Sequence, residues 1–141
     1  MTPYQAVPGL SPRLDDAELA VLREYGADVE LDENAILFSP ADERYDLFVV
    51  LDGAVSLTVD GVEPQQLLAS FGAREFLGGL DALAGRRTAA TARMAMPGRV
   101  LRIPVERARA LMAQEPELSE LLLRAFLLRR GLFTDLGIGP T

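Results

Sequence analysis

The chain has no cysteine, no histidine, no lysine and no tryptophan among its 141 residues. Without Cys and His it can form no disulfide. It offers no thiol nucleophile, no thiolate or imidazole metal site and no Ser-His triad. No apolar run approaches the roughly 20 residues that a bilayer-spanning helix needs. The N-terminus lacks the basic stretch and apolar run of a signal peptide. A cytoplasmic protein without a membrane partner is therefore expected. Hydrophobic residues make up 49% and charged residues 25% of the chain, the balance of a globular protein, and the length suits one domain with a core.

Every basic residue is an arginine, and the charges are unevenly placed. Residues 1–73 carry 14 acidic residues against 3 arginines, whereas residues 74–141 carry 11 arginines against 7 acidic residues. The net charge of −7 argues against an extended nucleic-acid surface. The arginine-rich half reads either as solvated helix faces or as the half that holds an anion site.

Pro3, Pro8, Gly9 and Pro12 mark residues 1–13 as an irregular lead-in. Asp15 or Asp16 can cap a helix whose apolar face is Leu14, Leu19, Leu22 and Tyr25, with Gly26 as its stop. From 28 to 103 the apolar period is two. Short strands are expected over 29–31, 35–38, 46–51, 55–59, 65–71, 87–96 and 99–103, with turn signals at Asp52-Gly53, Asp60-Gly61 and Pro97-Gly98. The connections are too short for helical crossovers, so the sheets should be antiparallel. After Pro104 the period returns to 3.6. One helix carries Val105, Ala108, Leu111 and Met112, and Glu115-Pro116 ends it. A second runs over 116–133 with a stripe of Leu118, Leu121, Leu122, Ala125, Phe126 and Leu128. Leu123, Leu127 and Leu132 fall outside that stripe, and this predicts a homodimer through the helix. The expected fold is mainly β with flanking helices: an antiparallel β-roll or jelly roll of about eight strands with one N-terminal and two C-terminal helices. The expected boundaries are a lead-in over 1–13, a domain over 14–134 and a tail or linker over 135–141.

Between Phe71 and Ala92 the sequence reads as a Gly-containing turn, a short helical piece and then Arg-Thr-Ala-Ala leading into a strand. Glycines let backbone approach a ligand, successive N–H groups bind anions, and an Arg can fork onto a phosphate. Arg87 reads either as such an anion ligand or as a salt-bridge partner of a carboxylate such as Asp81. Thr88 reads as a ligand hydroxyl or as a strand-face residue. Arg86 and Arg93 are expected in solvent. Asp32-Glu33 and Asp42-Glu43 read as turn residues, and nothing in the chain offers a metal site.

The stretch from Phe71 to Ala92 resembles the phosphate-binding cassette of the cyclic-nucleotide-binding fold. The Leu47–Val55 segment with Gly53 and the order helix, β-roll, two helices extend the likeness over most of the chain. The Phe76-Leu77-Gly78-x-Leu80 run, the Glu115-Pro116-Glu117-Leu118-Ser119 corner and residues 123–130 are similar to the N-terminal domain of bacterial proteins that fuse such a domain to a thioredoxin reductase. The resemblance implies a ligand set of Gly78, Gly79, Leu80, Arg87, Thr88 and Ala89, with no catalytic residue and no metal. It implies no cofactor in this chain, with a cyclic nucleotide or another anion as ligand. It also implies a regulatory role toward a fused or partner reductase module. Where the family places a ribose-binding Glu, this chain has Gly79. The expectation is weak or absent cyclic AMP binding with a retained anion preference, and Gly79→Glu should restore the anchor. Phe133 and Thr134 are the residues that spacing offers for a base contact. The alternatives are a ligand-free dimerisation scaffold and the effector domain of a transcription regulator. The latter needs a helix-turn-helix after the long helix, and residues 1–141 contain none. A cupin-type enzyme is excluded by the absence of histidine.

Overall fold

The apolar period changes twice along the chain, and the backbone changes with it. The computed structural model describes residues 8–42, 45–59, 66–79 and 90–135, with the side chains of 66 and 133–135 left aside. Within them run α1 (Asp16–Arg23), β1 (Ala27–Leu31), β2 (Ile36–Phe38), β3 (Leu47–Val50), β4 (Ala54–Val59), β5 (Gln66–Phe71), β6 (Phe76–Gly78), β7 (Thr91–Met96), β8 (Gly98–Ile103), α2 (Val105–Gln114) and α3 (Pro116–Asp135). The strands form two antiparallel four-stranded sheets, ordered β1-β8-β3-β6 and β2-β7-β4-β5. The expected β-roll with one helix before it and two after it is the observed fold.

The four-residue run Leu47-Phe48-Val49-Val50 is buried throughout because its sheet is covered on both faces. Phe48, Val50, Leu77 and Val100 turn toward the second sheet and meet Phe38, Val55, Leu57, Phe71 and Met94. Leu47, Val49, Phe76, Leu101 and Ile103 turn the other way, toward Leu14 and Leu22 near α1 and Leu111, Leu118 and Leu122 of α2 and α3. Each such side chain contributes about 1.5–3 kcal/mol by leaving water.

Helix ends follow local chemistry. Asp15 caps α1 in a full capping box: its carboxylate accepts from Glu18 N, and Glu18 accepts from Asp15 N. Pro104 provides no side-chain cap for α2. Asp46 supplies one from the start of β3, accepting Val105 N at 3.0 Å through Oδ1 and Arg102 Nε at 2.7 Å through Oδ2.

Three local expectations change. Phe76–Gly78, read from sequence within a turn and helical piece, is a strand paired with Leu47–Val49. Leu128 is not on the buried stripe of α3; it is 39% exposed, and Arg129 takes the inward place. Leu132 does not join the outward leucines, because it packs against the core between the sheets. Leu123 and Leu127 are outward as expected, at 45% and 54% exposure.

Candidate functional site

The candidate site starts where β6 ends. The turn before it, residues 72–75, is held by Glu75, whose Oε1 accepts Gly72 N at 2.9 Å and whose Oε2 accepts the Ser11 hydroxyl. Glu75 is thus committed to the turn. Phe76 points toward α3, where its ring lies 5.7 Å from that of Phe126. Leu77 points between the sheets. Gly78 pairs with Leu47, and its φ of +82° is followed by +89° at Gly79.

These two positive φ values decide what the site can carry. A Cβ on Gly78 would stand 2.6 Å from the Asp46 carbonyl oxygen, and one on Gly79 would stand 2.9 Å from Leu47 Cβ. Both glycines therefore bring bare main chain against β3, as expected of backbone that approaches a ligand or neighbour closely. The expectation that Gly79→Glu restores a carboxylate anchor is corrected here. An L-residue at 79 meets both an unfavourable φ and the side chain of Leu47, so a Glu there requires the backbone to move.

Of the sequence-derived ligand set, Gly78 and Gly79 are adjacent at the end of β6. Leu80, Arg87, Thr88 and Ala89 lie outside the described residues, as do Asp81 and Arg86. The chain is described again at Ala90, which is buried between the sheets. Phe133 and Thr134 belong to α3, with side chains outside the description. Arg93, expected in solvent, is part-buried at the centre of β7, in register with Ile36 and Ser56. Asp32 and Asp42 are turn residues: the Asp32 carbonyl accepts Ala35 N, and Asp42 Oδ2 accepts Ser39 N at 3.0 Å. Glu43 lies outside the described residues. Among the described residues no three acidic groups stand close enough to hold a metal ion. None of the described helices is long and apolar enough to cross a membrane.

Sequence reasoning missed Arg129. It is 2% exposed, and its Nε donates to the Leu10 carbonyl at 2.8 Å. Its guanidinium carbon lies 5.3 Å from the ring centre of Phe71 and 5.0 Å from those of Phe76 and Phe126. A cation over three ring faces is attracted by their quadrupoles, strongly so when water is excluded. The available signal was its spacing. Leu118, Leu122, Ala125 and Arg129 repeat at four, three and four residues, so Arg129 continues the buried stripe.

The family model of the cyclic nucleotide-binding domain matches residues 28–115, more than half of the chain. The chain belongs to this family. Its β-roll is similar to that of the catabolite activator protein of Thermus thermophilus, at 24% identity and a TM-score of 0.71 over 88% of this chain and 58% of that one. It is similar to the N-terminal domain of a transcriptional regulator from Streptomyces coelicolor, at 26% identity and a TM-score of 0.62 over 89% of both chains. It is also similar to the c-di-GMP-responsive global regulator CLP of Xanthomonas campestris, at 19% identity and a TM-score of 0.69 over 86% of this chain and 60% of that one. The chain thus spans somewhat under two thirds of the Thermus and Xanthomonas proteins. No curated protein sequence matches it. As a cyclic nucleotide-binding domain it has the fold of a regulatory module.

Proposed function

We propose that this cyclic nucleotide-binding domain is a non-catalytic sensor of a small anion. Its proposed ligand set is Gly78, Gly79, Leu80, Arg87, Thr88 and Ala89. Arg87 supplies the charge, Thr88 a hydroxyl, and the glycines and Ala89 main-chain contact. The observation that carries the reading is the pair of consecutive positive-φ glycines at 78 and 79, a backbone conformation that opens the stretch of sequence holding Arg87 and Thr88. The same pair argues for weak cyclic AMP binding, because residue 79 carries no ribose-binding carboxylate and a side chain there would need the backbone to move away from Leu47.

Calorimetry of the full chain with inorganic phosphate and with cyclic AMP tests this. Phosphate is expected to bind, to weaken as salt rises and to be lost in Arg87→Ala. Submicromolar affinity for cyclic AMP in the unmodified chain would overturn the ligand assignment. A folded Arg87→Ala that still binds phosphate would overturn the site.

The proposed output is α3, through a homodimer seam that includes Leu123 and Leu127, with residues 135–141 as a linker. Control of a fused or partner thioredoxin reductase-type oxidoreductase rests on the sequence likeness in 76–80, 115–119 and 123–130. The likeness to the Streptomyces transcriptional-regulator domain, with 89% of both chains covered, favours a second reading as an effector domain of a transcription regulator. A disulfide-reductase rate that changes when this domain is added to its partner supports the first. Phosphate-dependent DNA binding by a regulator carrying this domain supports the second.

A further inference from the structure

The described part of the lead-in, from Pro8 on, is built into the β-roll. Leu10 is fully buried, and its carbonyl is held by the caged Arg129. The Ser11 hydroxyl donates to the Glu75 carboxylate. Arg13 donates through Nε and Nη2 to the Ala73 carbonyl at 3.3 and 3.2 Å. Leu14 N donates to the Arg74 carbonyl at 2.9 Å, and Arg74 Nη1 donates to the Leu14 carbonyl at 3.4 Å.

Apart from Arg129, all these partners lie in the turn that joins β5 to β6. Arg74 at its centre has a φ of +71°, an uncommon conformation for a residue with a side chain. Such a conformation persists where its surroundings over-determine it. Here the surroundings are the lead-in and the Asp16 carboxylate of α1, which pairs with Arg74 Nη2 at 2.5 Å, on one side and β3 on the other: Arg74 N donates to the Val50 carbonyl at 2.8 Å, and Val50 N donates to the Glu75 carbonyl at 2.9 Å. The next residue is Phe76, one of the three rings around Arg129, and two residues on is Gly78.

We propose that residues 8–15 form a regulatory strap whose docking fixes the 72–75 turn and β6, with Arg129 as the positioning residue that touches both strap and strand. Releasing the strap relaxes Arg74 and frees Phe76, so β6 loses its register against β3. A partner that draws the lead-in away is thereby read at the end of β6. The coupling of strap to β6 stands on these contacts alone. Its effect on ligand binding rests on the anion-sensor reading, and linkage then requires that an anion bound beyond Gly78 tighten the strap in return.

Amide hydrogen exchange of the full chain, resolved by residue, tests the strap. Ser11→Ala removes one strap bond at a part-buried position. It is expected to speed exchange about tenfold at Leu14, Arg74 and the β6 amides, with the β8 amides at Val100 and Leu101 unchanged. Ser11→Thr is expected to restore the slow rates. Arg129→Met should act at the same amides, and Ser11→Ala decides alone if that variant does not fold. Unchanged β6 amides in Ser11→Ala, or acceleration of β6 and β8 alike, would overturn the proposal. Inorganic phosphate added to the unmodified chain should slow exchange at Leu14. Binding by calorimetry without that slowing counts against the coupling. No binding at all removes the anion reading and leaves the strap–β6 result to be judged on the variants.

Discussion

Asp46 caps a helix that begins 59 residues further along the chain. Its carboxylate satisfies the first N–H of α2 and binds Arg102 at once, with its side chain only 17% exposed. Asp46→Ala should therefore cost about 1–2 kcal/mol, and Asp46→Asn less, since an amide oxygen still caps. Urea denaturation of the two variants beside the parent checks this. Tyr25 gives a pH signature. It is buried, and its hydroxyl donates to Gln114 Oε1 at 2.7 Å. Burial first, then the charges of Glu115 and Glu24, push its phenol above the ordinary value of 10.0, against the opposing pull of Arg107. A raised pKa means the fold prefers the protonated phenol. This contribution is complete below pH 10 and disappears as pH climbs through the folded-state value. Stability should fall above pH 10, and Tyr25→Phe should lose that part of the fall while starting about 0.5–1.5 kcal/mol below the parent at neutral pH, because the hydrogen bond to Gln114 is gone. By contrast, the Arg99–Asp52 pair sits in solvent, and breaking it should change stability little.

At the scale of elements, α3 holds a glycine at 131 with nothing within 4 Å of where its Cβ would be. Gly131→Ala should stabilise the protein by about 0.5–1 kcal/mol, because alanine loses less backbone entropy in a helix. Gly79→Ala should do the reverse, costing about 1–2 kcal/mol, since φ is +89° and Leu47 is in the way. Thermal melts of the two variants should shift in opposite directions. The contrast also explains which elements were legible in the sequence. α1 announced itself through Asp15 or Asp16 as cap and the apolar face of Leu19 and Leu22, and the strand pairs through alternation and Asp52-Gly53. β6 did not, because three residues are too few to show a period and Gly78-Gly79 reads as a turn. Its strand character comes from pairing with Leu47–Val49, a contact no local pattern contains. Arg129 was missed although its spacing continued the buried stripe, because three phenyl rings and a carbonyl from the far end of the chain make its place. The two glycines of the ligand set were singled out by the resemblance to the family, but the crowding that a side chain at 79 would meet depends on β3.

At the scale of the whole molecule, the outward side of α3 bears on assembly. Leu123, Leu127 and Leu128 stand exposed beside the Glu120–Arg124 ion pair. If this face is the proposed seam, the parent should sediment as a dimer, and Leu127→Glu as a monomer with its circular dichroism unchanged. A parent that stays monomeric at high concentration rejects the seam. The long reach of Arg129 has a consequence for how the protein is made. The Leu10 carbonyl and the guanidinium that holds it are 119 residues apart. Leu10 leaves the ribosome early, and Arg129 follows at bacterial or eukaryotic elongation rates only about 6–24 s later, taking roughly 5–20 residues per second. Throughout that interval the Leu10 carbonyl lacks the guanidinium that holds it. A chain that stops short of α3 would thus keep the Leu10 carbonyl without its guanidinium partner, whereas the complete chain acquires that partner last of all.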